Sequence, residues 1–474
     1  MSRRQELFAL AKKSLVALIN LLLGLETEVS ELRRQVKELT DRLGRNSRNS
    51  NKPPSTDGLE KPPPKSLRQR TGRKPGGQPG HPGRTLEQVA QPDHTRTHKL
   101  GSCPCGACQG RSLRGEPLID YEKRQVFELP PKLLVVTEHQ AEIKRCPVSG
   151  RLVCASFPDN VQAPAQYGPR FKGVQSYLNT EHFLPFDRLS RLVEDIFGQP
   201  LSEATVVAAN QRIHGHLTPF EQDLAERLVR EALLHVDESG LRVAGKLHWL
   251  HVASTDRLTF YGVHPKRGTE AMNFFNIIPR AEGWLIHDHF KPYLTYTECV
   301  HAFCNEHHLR ELKFQWEENG EAWAQELSQF LLHHKQRREK EGLPSERHFQ
   351  NILANYHAIL AKGRRKHPRR QGRQAQSKAA NLLDRLEDYY LCVLAFLIDL
   401  KVPFTNNQGE QDIRMIKIRQ KISGGFRTLH GARVFARIRS YISTCRKQGR
   451  NILEALERAY LGNPFMPAAP ANGP

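Results

Sequence analysis

Acidic residues are scarce in this 474-residue chain, with 50 Asp and Glu against 71 Lys and Arg and a formal net charge of +21. That imbalance disfavours a cationic partner and favours a polyanion, most simply nucleic acid. The shortage is also local, since no acid occurs between Ala361 and Leu383. Long apolar runs are missing too. Nothing approaches the ~20 apolar residues that a membrane helix needs, so no membrane partner is expected. An apolar run at 15–25 follows a basic start. Charged helical sequence comes after it, without the small-residue cleavage site of a secretory signal. Nine cysteines, an odd number, do not make a secreted disulfide framework. The expectation is a protein of a reducing compartment, cytoplasmic and nucleoid-associated.

A chain this long has room for about three domains, and shifts in pattern divide it further. Residues 1–44 carry Leu18, Leu22, Leu25, Val29, Leu32, Val36, Leu39 and Leu43 at alternating spacings of four and three. That is a coiled-coil seam. One helix cannot bury its own stripe, so the seam predicts a homo-oligomer, with packing against the same chain as the alternative. Residues 45–100 form a basic, Pro/Gly-rich linker. Inside it, Arg73 and Lys74 precede Pro75-Gly76-Gly77, a pattern suited to the minor groove of DNA or simply to a solvated linker.

Residues 101–160 read as a zinc-ribbon-like module. Cys103, Cys105 and Cys108 make one knuckle, and Cys146 and Cys154 are candidates for a second, with apolar stretches at 121–136 expected as strands between them. The second knuckle is irregular, and His94, His98 or His139 could supply a Zn²⁺ ligand instead. Residues 161–230 read as helical. An amphipathic segment at 186–197 is broken by Gly198-Gln199-Pro200, and Ser202 is a natural N-cap. The layout suits a helix-turn-helix or an ordinary bundle.

Three strand-like runs follow, at 233–243, 247–254 and 258–263, then a helical stretch at 269–278 and a strand ending in Asp288. This order predicts an α/β fold with a ribonuclease-H-like mixed sheet as its core. Residues 231–310 would be its first part, 311–402 a helical basic insertion, 403–460 a further helical region, and 461–474 a flexible tail. In such a core the first and fourth strands lie side by side, which brings Asp237 near Asp288. Glu410 opens a basic helix, with Arg414 at i+4, Lys417 at i+7 and Lys421 beyond, so all share one face. Three such carboxylates could hold two divalent ions and drive displacement at phosphorus. Oxygen ligands suit Mg²⁺ or Mn²⁺. Asp237 is the expected bridging ligand, with Asp288 and Glu410 each completing one shell. Glu321 is the competitor for the third position, and its context reads as a solvated acidic turn. His307, in Cys304-Asn305-Glu306-His307, belongs either at the site's edge or in a packed corner; the Cys-x-x-His pair could also begin a second metal site, but the sequence offers no convincing second pair. Arg364, Arg365, Lys366, Arg369 and Arg370 form a basic tract that either contacts the DNA backbone or is a solvated loop.

The chain resembles the insertion sequence sixty-six family of bacterial transposases over nearly its whole length. The resemblance lies in the zipper with Asn46-Ser47-Arg48-Asn49-Ser50-Asn51-Lys52-Pro53-Pro54-Ser55, in Arg73-Lys74-Pro75-Gly76-Gly77-Gln78-Pro79-Gly80-His81, and in the first cysteine knuckle. It continues in Tyr167-Gly168-Pro169 and Leu184-Pro185-Phe186-Asp187-Arg188-Leu189. Its most specific part pairs Thr405-Asn406-Asn407-Gln408-Gly409-Glu410 with Lys421-Ile422-Ser423-Gly424-Gly425-Phe426-Arg427. The resemblance implies a metal-dependent DDE transposase that binds double-stranded DNA, cutting and joining it at terminal inverted repeats. It implies Asp237, Asp288 and Glu410 as the catalytic acids, and helper proteins from the same element. The alternative is a DNA-binding protein without catalysis, either a decayed transposase or a repressor of the element.

Overall fold

A computed structural model describes residues 5, 6, 8, 15–43, 86–105, 107, 109–130, 132–369 and 376–468. Arg73, Lys74, Cys108, Arg370 and most of the expected linker lie outside the described residues. The chain divides into two compact units, residues 65–157 and the remainder.

In the smaller unit, β1 (Ile143–Arg145) and β2 (Leu152–Cys154) form an antiparallel pair, with Ile143 opposite Cys154. Cys146 opens the turn between them, where Ser149 donates its N–H to the sulfur at 3.4 Å. Hydrogen bonds from Ser149 hold the Cys146 thiol below its ordinary value. Cys103 and Cys105 lie in a second turn, bracketed by a bridge between Ser102 and Ser112. The strands expected at 121–136 do not form among the described residues. Val126, Leu129 and Val135 are exposed. An apolar alternation with no face to cover it gains nothing from becoming a strand.

In the larger unit, α1 (Leu15–Leu43) is the expected seam helix, continuous through Gly24. Leu22, Val29, Leu32, Val36 and Leu39 stay exposed. Helices α2 (Pro169–Thr180), α3 (Phe186–Phe197), α4 (Glu203–His216) and α5 (Thr218–Val229) precede the sheet. Gly198 ends α3 in the left-handed region, and Ser202 caps α4 by accepting the Thr205 N–H. Helix α4 packs on α2, α3 and α5 and on the C-terminal helices α13 (Leu429–Lys447) and α14 (Ile452–Tyr460). Much of its surface is therefore committed to the fold.

The sheet contains β3 (Leu233–Val243), β4 (Lys246–Ser254), β5 (Thr259–His264), β6 (Trp284–His287) and β7 (Val300–Phe303). Their order is β5-β4-β3-β6-β7. The first three are antiparallel, while β6 and β7 run parallel to β3. A helix α6 (Thr269–Phe275) makes the crossover into β6. This mixed sheet is consistent with a ribonuclease-H-like DDE core. Helices cover both faces, and β3 alternates between them. Leu234 and Val236 join a core with Phe220, Leu224 and Tyr441. Leu241 and Val243 join another with Ile413, Ile416 and Phe435. Gly283 lets β6 dock on β3, because a Cβ there would lie 2.4 Å from the Glu231 carbonyl oxygen. The outer edge of β5 is closed by α13, whose Thr444 and Ser440 hydroxyls accept the Thr259 and Tyr261 N–H groups. An edge satisfied in this way cannot recruit another strand.

Between β7 and the last part of the core come α7 (Asn305–Asn319), α8 (Ala322–Glu341), α9 (Glu346–Lys366), α10 (Lys378–Asp388) and the short α11 (Tyr390–Val393). They build their own core around Trp323, Leu327, Tyr356 and Leu383. Helix α12 (Asn407–Ser423) then returns to the sheet and packs on β3 and β4. After it, Phe426 exchanges backbone hydrogen bonds with Arg242 and Ala244, extending the sheet where the short β6 leaves β3 unpaired.

Candidate active site

Register brings the first two acids together. Leu233, Leu234 and His235 of β3 pair in parallel with Trp284, Leu285 and Ile286 of β6. Continuing that register by two residues puts Asp237 opposite Asp288, which directly follows β6, and the Asp288 charge acts on Asp237. Glu410 arrives from a distant part of the sequence, in the first turn of α12. Asn406 positions it. Its side chain accepts from His235 Nδ1 at 2.8 Å and donates to the Val236 carbonyl at 2.8 Å. Its backbone carbonyl accepts the Glu410 N–H at 3.1 Å. One buried amide thus ties the start of α12 to the strand that carries Asp237. Gly409 is required beside it, because a Cβ there would stand 3.0 Å from the Asn406 amide.

Asn406→Ala is expected to leave the His235 ring nitrogen and the Val236 carbonyl unpaired in the interior. The cost should be about 1–3 kcal/mol of stability, read as a lower urea midpoint, together with slower DNA joining. An unchanged midpoint would show that the clamp does not hold the site.

The acids repel one another. Burial, then the charges of Glu238 and Asp288, push the Asp237 carboxyl well above its ordinary value, and Glu410 adds to the effect. Burial raises Asp288 and Glu410 as well. Arg310 tempers Glu410, and the Phe290 N–H donated to Asp288 at 2.9 Å tempers that group. Each of the three keeps part of its surface open. Among the described residues neither Asp237 nor Asp288 makes an ion pair. Partly open carboxylates that press on one another in this way fit a site for divalent cations with oxygen ligands.

A fourth acid is one that sequence reasoning misses. Glu238 is buried, pairs with Arg267 at 2.6 Å and accepts from the Tyr293 hydroxyl. Burial and Asp288 still raise it to about 7. Arg267 is itself held against the Phe290 and Trp249 rings. A second acid directly after Asp237, inside a strand flanked by apolar residues, is the available signal. Cys304 and His307 also reach the site. The Cys304 thiol lies 3.6 Å from Glu410 Oε1 and His307 Nδ1 lies 3.7 Å from the same oxygen. Burial pushes the thiol up to about 12 and the imidazole down to about 4.

Glu321 is elsewhere. It precedes α8, accepts from Trp323 Nε1 at 3.0 Å and pairs with His367 at 2.9 Å. It is a tie within the helical insertion and not the solvated turn that its context suggests.

The basic tract makes ion pairs within the chain. Arg364 pairs with Asp384 and Glu387 at 2.7 Å, and Arg369 with Asp384, Glu387 and Asp388. Helix α10 folds back and brings these acids to the tract, so both arginines are committed to the protein. Lys366 lies 3.7 Å from Glu321, and Arg365 reaches a carbonyl of its own helix. The basic face of α12 remains open to solvent. Arg414, Lys417 and Lys421 follow Glu410 along it. Lys417 donates to the Gly240 carbonyl at 3.2 Å and feels the Asp237 charge. Arg419, on another face, stacks 3.5 Å over the Phe426 ring.

No helix among the described residues is long and apolar enough to cross a membrane. No curated protein matches the chain. Residues 3–87 match a family of unknown function (DUF6444). Residues 165–434, which span the sheet, the helical insertion and all three acids, match the model of the Transposase IS66 family. That match covers more than half of the chain, and the chain therefore belongs to the IS66 family of transposases.

Proposed function

We propose that this transposase binds the terminal inverted repeats of its element and catalyses metal-dependent cleavage and strand transfer of DNA. The observation that supports this most is the meeting of Asp237, Asp288 and Glu410 from three separate segments at one sheet edge. Asp237, flanked by the other two, is the ligand two ions would share. Asp288 and Glu410 would each complete one shell. Mg²⁺ or Mn²⁺, when bound there, supplies the charge that activates a water or 3′-hydroxyl and steadies the departing 3′-oxygen. The chain's part is to hold these oxygens in place through β3, β6 and the Asn406 clamp. Glu238, fixed by Arg267 and Tyr293, keeps the floor of the site rigid.

Arg414, Lys417 and Lys421 lead away from Glu410 and suit a phosphate backbone that enters the site. Replacing all three with Gln should weaken duplex binding to every sequence alike. The slope of log affinity against log salt should become shallower by roughly 0.9 for each phosphate that is no longer neutralised. An unchanged slope would remove α12 from the DNA path. The exposed α1 seam suits pairing with a second copy of the chain. The cysteines at 103, 105, 108, 146 and 154 would supply the ligands of a structural Zn²⁺, a reading carried by their sequence spacing, since among the described residues no three of them converge.

The test of the function is a cleavage and strand-transfer assay with Mg²⁺ on DNA carrying the element's own ends. Cutting followed by joining of a free 3′ end supports transposition. Cutting without joining indicates a nuclease. Binding that survives substitution of all three acids, without cutting, indicates a protein that only occupies the ends.

A further inference from the structure

Cys304, His307 and Glu410 bring three potential metal-binding atoms within 4.8 Å of one another. The catalytic reading uses only the last. Glu410 Oε1 stands 3.6 Å from the sulfur and 3.7 Å from His307 Nδ1. Zinc bonds of ~2.3 Å to sulfur and ~2.0–2.2 Å to nitrogen or oxygen, set tetrahedrally, place such donors about 3.3–3.7 Å apart. The two distances to Glu410 Oε1 already lie close to that spacing. His307 Nδ1 is sealed from solvent and has no hydrogen-bond partner. Cys304 is the N-cap of α7. Its sulfur accepts the Asn406 N–H at 3.2 Å and faces the backbone N–H groups of Glu306 and His307. A sulfur, nitrogen and oxygen set disfavours Mg²⁺, which demands hard oxygen ligands, and favours the zinc class.

We propose that Cys304, His307 and Glu410 bind a divalent cation of the zinc class and that this ion withdraws Glu410 from the Mg²⁺ site. The zinc–sulfur bond forms as the thiol proton leaves to solvent. Three protein ligands leave the fourth position to water, the pattern of an exchangeable site and not of a closed structural one. Binding stands on the geometry alone. Its inhibitory consequence rests on the catalytic reading of Glu410.

The experiment uses the full chain, stripped of metal by a chelator and titrated with Zn²⁺ by equilibrium dialysis. Cys304→Ser and His307→Gln should each bind one equivalent fewer than wild type, whatever the N-terminal cysteines hold. Zn²⁺ should also inhibit Mg²⁺-dependent cleavage at least tenfold less potently in each variant, measured against that variant's own zinc-free rate. Equal stoichiometry in all three proteins overturns the site. Where a variant fails to fold, Glu410→Gln takes its place in the dialysis, and a stoichiometry equal to that of wild type overturns the proposal. If no form of the chain cuts DNA, the catalytic reading falls while the stoichiometry still judges the site.

Discussion

Glu410→Gln is expected to abolish Mg²⁺-dependent cleavage and strand transfer, while Glu321→Gln stays near the wild-type rate. The loss should be about 1,000-fold or more, the rate equivalent of the several kcal/mol that a bound metal contributes. Gln keeps the size and the hydrogen bonds of α12's first turn but removes the charge that an ion needs. Glu321 lies much closer in sequence to Asp288, which makes it the competitor. Its carboxylate already serves His367 and Trp323. Its loss should lower stability modestly and leave the chemistry intact. Gel-resolved cleavage and joining on the element's ends separates the two. Loss confined to Glu321→Gln would move the third ligand and make the helix at Glu410 a DNA-binding appendage.

The strands are legible because each carries a local signal. Alternation and short turns mark residues 233–263, and Asp237 and Asp288 stand out as acids at the boundaries of apolar runs. Glu410 is legible through its motif and through the basic face that follows it. The rest depends on partners far away in sequence. Nothing near Asn406 reveals that its amide spans to His235 and Val236. Glu238 escapes notice because its neighbour offers the simpler site, and its stabilising partners, Arg267 and Tyr293, come from other elements. The basic tract reads as uncompensated because its neutralising acids begin only at Asp384, beyond the acid-free stretch. Arg364 and Arg369 find them only when α10 folds back. Conversely, the apolar stretches at 121–136 look like strands locally, yet Val126, Leu129 and Val135 stay exposed. Local pattern therefore places the acids, and tertiary contact determines which charges are paired within the fold.

Asp237→Asn should move activity and stability in opposite directions. Cleavage and joining should vanish, because the shared ligand is gone. The metal-free protein should nevertheless become more stable than wild type above neutral pH. The sign follows from the raised carboxyl. Its folded value lies well above the ordinary ~3.9, so its contribution is fully present below the unfolded value and is lost as pH rises through the folded one. Glu238, raised to about 7, places a second loss in the same direction around neutrality. At pH 8 wild type thus carries a repelling cluster that Asn relieves. Each kcal/mol relieved should raise the melting temperature of the catalytic unit by about 2–4 °C. The gap between variant and wild type should close as pH falls toward 4, where the raised carboxyl is protonated in the folded protein. Comparing the two proteins at each pH cancels the titration of groups remote from the cluster. Mg²⁺ at pH 8 should stabilise wild type and have little effect on the variant. A residue that only packs the strand end would lose activity and stability together. A melting temperature lower in Asp237→Asn than in wild type across this range would therefore count against a cation site at this edge of the sheet.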